Sequence, residues 1–232
     1  MKLVRANVVQ RLRCAVAVVT ILGGTNASKL HGESIRPVNV VLVHGTLNTG
    51  KVFKPLVRRL EAEGCRCFAP DLRPNTCALG MRDLAEKLSV QIDRRFGPKA
   101  PLILVGFSMG GVVTRDYVQN LAAKGRVRGV FLISTPNHGT FWAGISPGGG
   151  VRDLAIGSLF LQRLNADVAA WKEIAVSSYW TPYDLMIVPA RSSIWPVGKT
   201  TRVFCLLHPL MVRNRVVMAD IATKIKRWSA RR

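Results

Sequence analysis

Hydrophobic and polar positions alternate along the chain in a regular order. Val38 to Val43 is a valine-rich run between Pro37 and Gly45, which predicts a strand buried on both faces. Val52, Leu56, Val57 and Leu60 fall at helical spacing, and that helix stops at Gly64. Cys65 to Ala69 reads as a short strand closed by Pro70. Leu84, Leu88, Ile92 and Phe96 mark an amphipathic helix over Met81 to Phe96, ended by Gly97-Pro98. Leu102 to Val105 is a second buried strand, Gly111 to Ala123 a helix, and Val127 to Ser134 the next strand. From Trp142 to Lys172 the order weakens around Gly148-Gly149-Gly150 and the apolar, helix-like Leu154 to Leu164, so this segment is read as an inserted flap. The pattern resumes with strands expected at Tyr183 to Val188 and Arg202 to Leu207 and a last helix at Val216 to Ser229. Strands alternating with helices predict an α/β fold: a mostly parallel central sheet flanked by helices. Chemistry in such sheets collects at the carboxyl ends of the strands.

Composition fits one globular domain over residues 28 to 232, with 48% apolar and 20% charged residues in a chain of 232. Charge is the departure: 34 Lys and Arg stand against 13 Asp and Glu, a net +21. Such an excess raises nucleic acid or an anionic membrane as a partner. Part of it sits in Lys2, Arg5, Arg11 and Arg13, which precede the apolar run Cys14 to Leu22 and the small residues up to Ala27. That order is the pattern of a secretory signal peptide, and the run is far short of the ~20 residues a membrane span needs. Residues 1 to 27 are therefore expected to be a leader and the protein to be exported, or to stay in the cytoplasm if that leader does not function.

Cys65, Cys67, Cys77 and Cys205 remain after the leader, and an exported chain permits three pairings among four cysteines. Cys65 and Cys67 share a strand face and are badly placed to bond each other, which leaves Cys77 as the partner of one of them, or four buried thiols. No Cys or His spacing resembles a metal site.

Gly106-Phe107-Ser108-Met109-Gly110 places a serine between a predicted strand and a predicted helix, the setting of a nucleophile elbow. A serine needs a histidine base held by a carboxylate. Of His31, His44, His138 and His208, only His208 follows a late strand and precedes the final helix. His138 is the rival, in the loop Thr135-Pro136-Asn137-His138-Gly139-Thr140, and precedes any plausible acid. In the order serine, acid, histidine, the acids available are Asp116, Asp153, Asp167, Glu173 and Asp184. Asp116 lies inside the helix after Ser108, and Asp153 and Asp167 fall in the flap. Asp184 sits at a turn and is the candidate. The oxyanion donors are expected to be the backbone N–H groups of Met109 and of Thr46, which follows His44-Gly45 at the end of the first strand. His44 is then a packing or hydrogen-bonding residue and no base.

These features, in this order, resemble a small bacterial lipase or esterase of the α/β-hydrolase family, over about residues 38 to 228. The resemblance implies an α/β-hydrolase fold with Ser108 as nucleophile, Asp184 as acid and His208 as base. It also implies Thr46 and Met109 as the oxyanion hole, and lipid esters as substrates, with no cofactor. Leu154, Phe160 and Leu161 of the flap, with His44 and His138, are expected on the substrate-binding surface. The triad of Ser108, Asp184 and His208 would equally serve an acyltransferase or thioesterase, and a non-catalytic protein binding anionic surfaces is the reading from another class. No nucleic-acid-binding motif is present, so nucleic acid is not expected as a partner. Residues 199 to 232 hold nine basic and one acidic residue. Their cluster Lys224, Lys226, Arg227, Arg231 and Arg232 is expected to favour anionic lipid surfaces.

Overall fold

The computed structural model describes residues 37–229. The leader expected at residues 1 to 27 lies outside them, as do Arg231 and Arg232. Six parallel strands form one sheet in the order β2-β1-β3-β4-β5-β6. They are β1 (Asn39–Val43), β2 (Arg66–Phe68), β3 (Leu102–Phe107), β4 (Val127–Ile133), β5 (Ala175–Trp180) and β6 (Lys199–Arg202). The helices are α1 (Lys54–Ala62), α2 (Gly80–Phe96), α3 (Met109–Asn120), α4 (Phe141–Ile145), α5 (Leu159–Ala166) and α6 (Arg215–Ser229). This is the parallel central sheet flanked by helices that the alternation predicted.

Strands β1, β3 and most of β4 are buried on both faces because helices cover each side. Val41, Val43 and Leu104 face α2, α3 and the segment between β4 and β5; Val40, Leu42 and Ile103 face α1 and α6. The strand order reverses between β1 and β3. A crevice opens outside their carboxyl ends at that point, so the fold itself sets a site beside Gly45 and Ser108.

Two expectations are corrected at the β5 and β6 edge of the sheet. Tyr183 to Val188 is a turn, and the strand is Ala175–Trp180. Its Ser177 and Ser178 are buried between neighbouring strands, which hid the apolar alternation, whereas Leu185 and Met186, apolar by sequence, are exposed. The last strand is Lys199–Arg202, and pairing ends there because its partner β5 ends at Trp180.

The segment between β4 and β5 is fixed to the body at several points. The Asp153 carboxylate accepts the Met81 N–H at 2.8 Å and so caps α2, whose own N-cap side chain does not. Fully buried Arg115 reaches from α3 to Leu164 O (3.1 Å), Asn165 Oδ1 (2.7 Å) and Asn137 Oδ1 (3.2 Å), with its guanidinium 4.3 Å from the Trp195 ring centroid. Burial lowers its pKa to about 9, so it stays charged at neutral pH. Ser158 caps α5 through the Leu161 N–H at 3.2 Å.

The four cysteines are free thiols. Cys65 and Cys67 pack on the face covered by α1 and α6, and Cys77 on the other, so the sheet separates the expected partners. No helix among the described residues is long and apolar enough to cross a membrane.

Candidate active site

Ser108 caps α3 at the end of β3 with φ 56° and ψ −128°, a left-handed backbone that a non-glycine residue adopts only when its surroundings impose it. Those surroundings are the flanking glycines. A Cβ at Gly106 would lie 2.5 Å from the Gly111 Cα, and one at Gly110 would lie 2.1 Å from the Val43 carbonyl oxygen. The turn closes only without side chains there. The Ser108 N–H donates to Ile133 O at 2.9 Å, which ties the elbow to β4. Met109 is the first residue of α3, so its N–H belongs to the unpaired first turn, at the positive end of the helix dipole.

The loop after β1 is built around His44, which is completely buried. Its Nδ1–H donates to Gly45 O at 2.9 Å, and its Nε2 accepts the Leu72 N–H at 2.9 Å. Both partners demand the neutral ring with its proton on Nδ1. Desolvation lowers the His44 pKa to match, outweighing the Gly45 carbonyl and Asp71, which raise it. Because Gly45 O is drawn to His44 and to the Asn48 N–H (3.2 Å), the planar trans peptide turns the Thr46 N–H the opposite way. Thr46 itself lines the central cavity. Its carbonyl accepts from Asn48 Nδ2 at 3.0 Å and its hydroxyl meets Cys77 Sγ at 3.4 Å.

Asp184 follows β5 in the turn. Its Oδ1 accepts the N–H groups of Met186 and Ile187, both at 3.0 Å, and its Oδ2 accepts from His208 Nδ1 at 2.7 Å. With Nδ1–H given to the carboxylate, His208 Nε2 is left as the acceptor. Both side chains are buried, and the His208 ring lies against Phe107 with centroids 5.0 Å apart. The Val203 N–H donates to Trp180 O (2.9 Å) and Thr181 Oγ1 to Cys205 O (2.7 Å), which sets the approach of histidine to acid.

Ser108, His208 and Thr46 line one cavity of about 600 Å³. Apart from the imidazole, no side chain among its lining residues is ionisable at neutral pH, and the walls are largely apolar. Leu154 lines it as expected. Phe160 and Leu161 do not: Leu161 is buried in the core, and Phe160 turns to a separate depression beside Arg82 and Asp116. The helical periodicity of α5 faces the body of the protein instead of the substrate. His138 is exposed, away from the cavity, with Nδ1 3.5 Å from Asn165 Nδ2, and His44 is sealed beneath the loop it orients. Neither lies on the cavity wall.

Thr140 and Trp142 are the residues that sequence reasoning missed. Thr140 Oγ1 donates to Met186 O and accepts the Val188 N–H, each at 3.0 Å, and Trp142 Nε1 donates to Leu185 O at 2.8 Å. The loop after β4 thus braces the turn that carries Asp184. The signal is present in Thr135 to Thr140, but hydropathy disguises the partner turn as a strand.

A serine at a strand-to-helix elbow, a buried pair of acid and histidine and a strand-end loop thus stand around one cavity at the carboxyl ends of a parallel sheet. The sequence matches the model of the alpha/beta hydrolase family over residues 40–219, and the chain belongs to that family. No curated protein matches the sequence. Among solved structures it is similar to lipase B of Aspergillus fumigatus, with TM-score 0.69 and 14% identity over 80% of this chain. The chain spans about half of that protein, 52% of its length. It is also similar to the mature lipase BlEst2 of Bacillus licheniformis, with TM-score 0.67 and 16% identity over 82% of this chain and 92% of that one. An extracellular alpha/beta-hydrolase from a Paenibacillus species gives TM-score 0.57 and 15% identity over 81% and 98%.

Proposed function

We propose that the protein hydrolyses carboxylic esters of neutral, apolar substrates, lipid esters foremost, through an acyl-enzyme on Ser108. Ser108 Oγ attacks the ester carbonyl as its proton passes to His208 Nε2. Asp184 holds the ring in the accepting tautomer and stabilises the imidazolium. The N–H groups of Met109 and Thr46 take the negative charge on the carbonyl oxygen. His208 then returns the proton to the leaving alkoxide, and water attacks the acyl-enzyme by the reverse transfers to release the acid and free Ser108. The observation that carries this reading is the buried 2.7 Å pair of Asp184 and His208 facing the same uncharged cavity as Ser108. Neutral walls support an uncharged substrate, because an ionised one would lose hydration without gaining a partner.

The test is labelling by a fluorophosphonate and a kinetic profile over p-nitrophenyl esters of increasing acyl length. Labelling at Ser108 and hydrolysis abolished in Ser108→Ala are expected. Unimpaired hydrolysis by Ser108→Ala would overturn the proposal.

A further inference from the structure

The rim of this cavity is unusually apolar for a surface in water. Leu47, Leu185, Leu206 and Leu207 line the opening and are each more than half exposed. Outside them, Ile145 on α4 is 61% exposed and Phe204 71%, with the Phe204 ring 5.5 Å from that of Tyr183, next to Asp184. Scattered exposed leucines need no explanation, but this set surrounds one opening.

Between residues 181 and 219 the only acid, Asp184, is buried against His208, and the next along the chain, Asp220, is engaged by Tyr179, Lys224 and Lys199, whereas Arg213 and Arg215 are exposed. Asn214 Nδ2 donates to Phe204 O at 3.1 Å, which sets the exposed Arg213 and Arg215 beside the apolar rim. The loops over residues 45 to 49 and 140 to 150 contain no charged residue, and the loop that carries Thr76 holds one acid and one base, Asp71 and Arg73. Of the basic cluster expected at the chain end, the described members Lys224, Lys226 and Arg227 lie elsewhere. Helix α6 runs from Arg215 back along the sheet for roughly 21 Å at 1.5 Å per residue. Its far end lies by Gly129 at the start of β4, where Lys226 meets Glu63 at 3.7 Å and Lys224 pairs with Asp220 at 2.7 Å.

We propose that the mouth face docks on an anionic phospholipid bilayer, with Ile145, Phe204 and the exposed leucines entering the interface and Arg213 and Arg215 meeting lipid phosphates. A purely apolar partner would leave these arginines unpaired, and a second copy of this face would bring like charges together. An anionic amphiphilic surface satisfies both parts of the rim. The proposal names a partner for the proposed active site, but docking needs no chemistry, so it is tested with the full chain carrying Ser108→Ala.

Vesicles of phosphatidylcholine, alone or mixed equally with phosphatidylglycerol, are sedimented with the protein. Binding to the anionic vesicles only is expected, weakening as salt rises from ~0.1 to ~1 M. The pair Ile145→Asp and Phe204→Asp should lower partitioning by at least about tenfold. In the Ser108 background the same pair should leave hydrolysis of a soluble p-nitrophenyl ester unchanged. Arg213→Glu should weaken binding more than Arg227→Glu at the far end of α6. No binding to anionic vesicles, equal binding by the rim pair, or a greater loss from Arg227→Glu would overturn the proposal. A concentration-dependent dimer abolished by the rim pair would overturn it in favour of a second copy. Loss of ester hydrolysis in wild type with intact vesicle binding would instead strike the proposed function alone.

Discussion

Replacing Asp184 by asparagine should cost about 10⁴ in kcat, or ~5.5 kcal/mol of barrier, with the fold retained. The figure is that of a serine triad whose histidine is held in the wrong tautomer, and the tautomer change follows from how the carboxylate is held. Oδ1 receives two backbone N–H groups, so the amide oxygen of the introduced asparagine must take that position; the NH₂ there would oppose two donors and forfeit both bonds, at about 1 kcal/mol each and more once the donors stand unpaired. The NH₂ group then faces His208 Nδ1, which must become an acceptor. The imidazole proton moves to Nε2, and the nitrogen that would receive the Ser108 proton already carries one. Steady-state kcat on a soluble p-nitrophenyl ester, beside a thermal melt, measures the effect. A loss smaller than about tenfold in a folded protein would refute the tautomer reasoning, since even one misplaced proton relay is worth more.

Three further outcomes follow from single contacts. His44 is held neutral with a pKa below its ordinary 6.5, so below that pH the unfolded chain binds a proton that the folded one refuses; stability should fall as pH drops below about 6.5, and His44→Asn should flatten that slope in urea titrations. An unchanged slope would remove His44 from the account. Thr140→Val strips the Val188 N–H of its acceptor and should cost about 1–3 kcal/mol in denaturant unfolding, with kcat reduced and Thr140→Ser restoring both. Alkylation with mass mapping should find Cys65, Cys67, Cys77 and Cys205 as thiols in denaturant without reductant; in the folded protein Cys67, its pKa pushed up to about 12 by burial and then by Cys65, should react slowly.

Most of the sheet was legible because β1, β3 and most of β4 are buried on both faces and are written as apolar runs, Arg128 being the exposed exception in β4. Legibility failed where burial is polar. Ser177 and Ser178 are enclosed by neighbouring strands, while the apolar Leu185 and Met186 stand in solvent at the cavity rim, so hydropathy pointed to the wrong half of the segment. At the site, Ser108 and its glycines were readable because the turn excludes any Cβ. Asp184 and His208 were reachable from chain order, and the structure brings them to 2.7 Å. Phe160 and Leu161 misled for the opposite reason: an apolar helix stripe records that a face is covered, not whether protein or substrate covers it. The loop that ends at Thr140 was visible, but the bracing role of Thr140 was not, since it depends on a turn 46 residues away.

The charge that dominated the composition required the same separation of amount from position. An ionic interaction in water is screened over ~8 Å at physiological salt, so the basic end of α6, roughly 21 Å from its start, contributes little at the cavity mouth. Nor does charge enter the cavity, whose lining holds no ionisable side chain besides His208. What remains beside the apolar opening is the exposed pair Arg213 and Arg215, held next to Phe204 by Asn214. The proposed recognition of an ester inside and of an anionic surface outside would therefore rest on different physics, apolar burial in the first case and Coulombic attraction in the second. Salt should weaken association with anionic vesicles while leaving turnover of a soluble neutral ester nearly constant, and a turnover that fell in parallel with vesicle binding would show that the two are not separate.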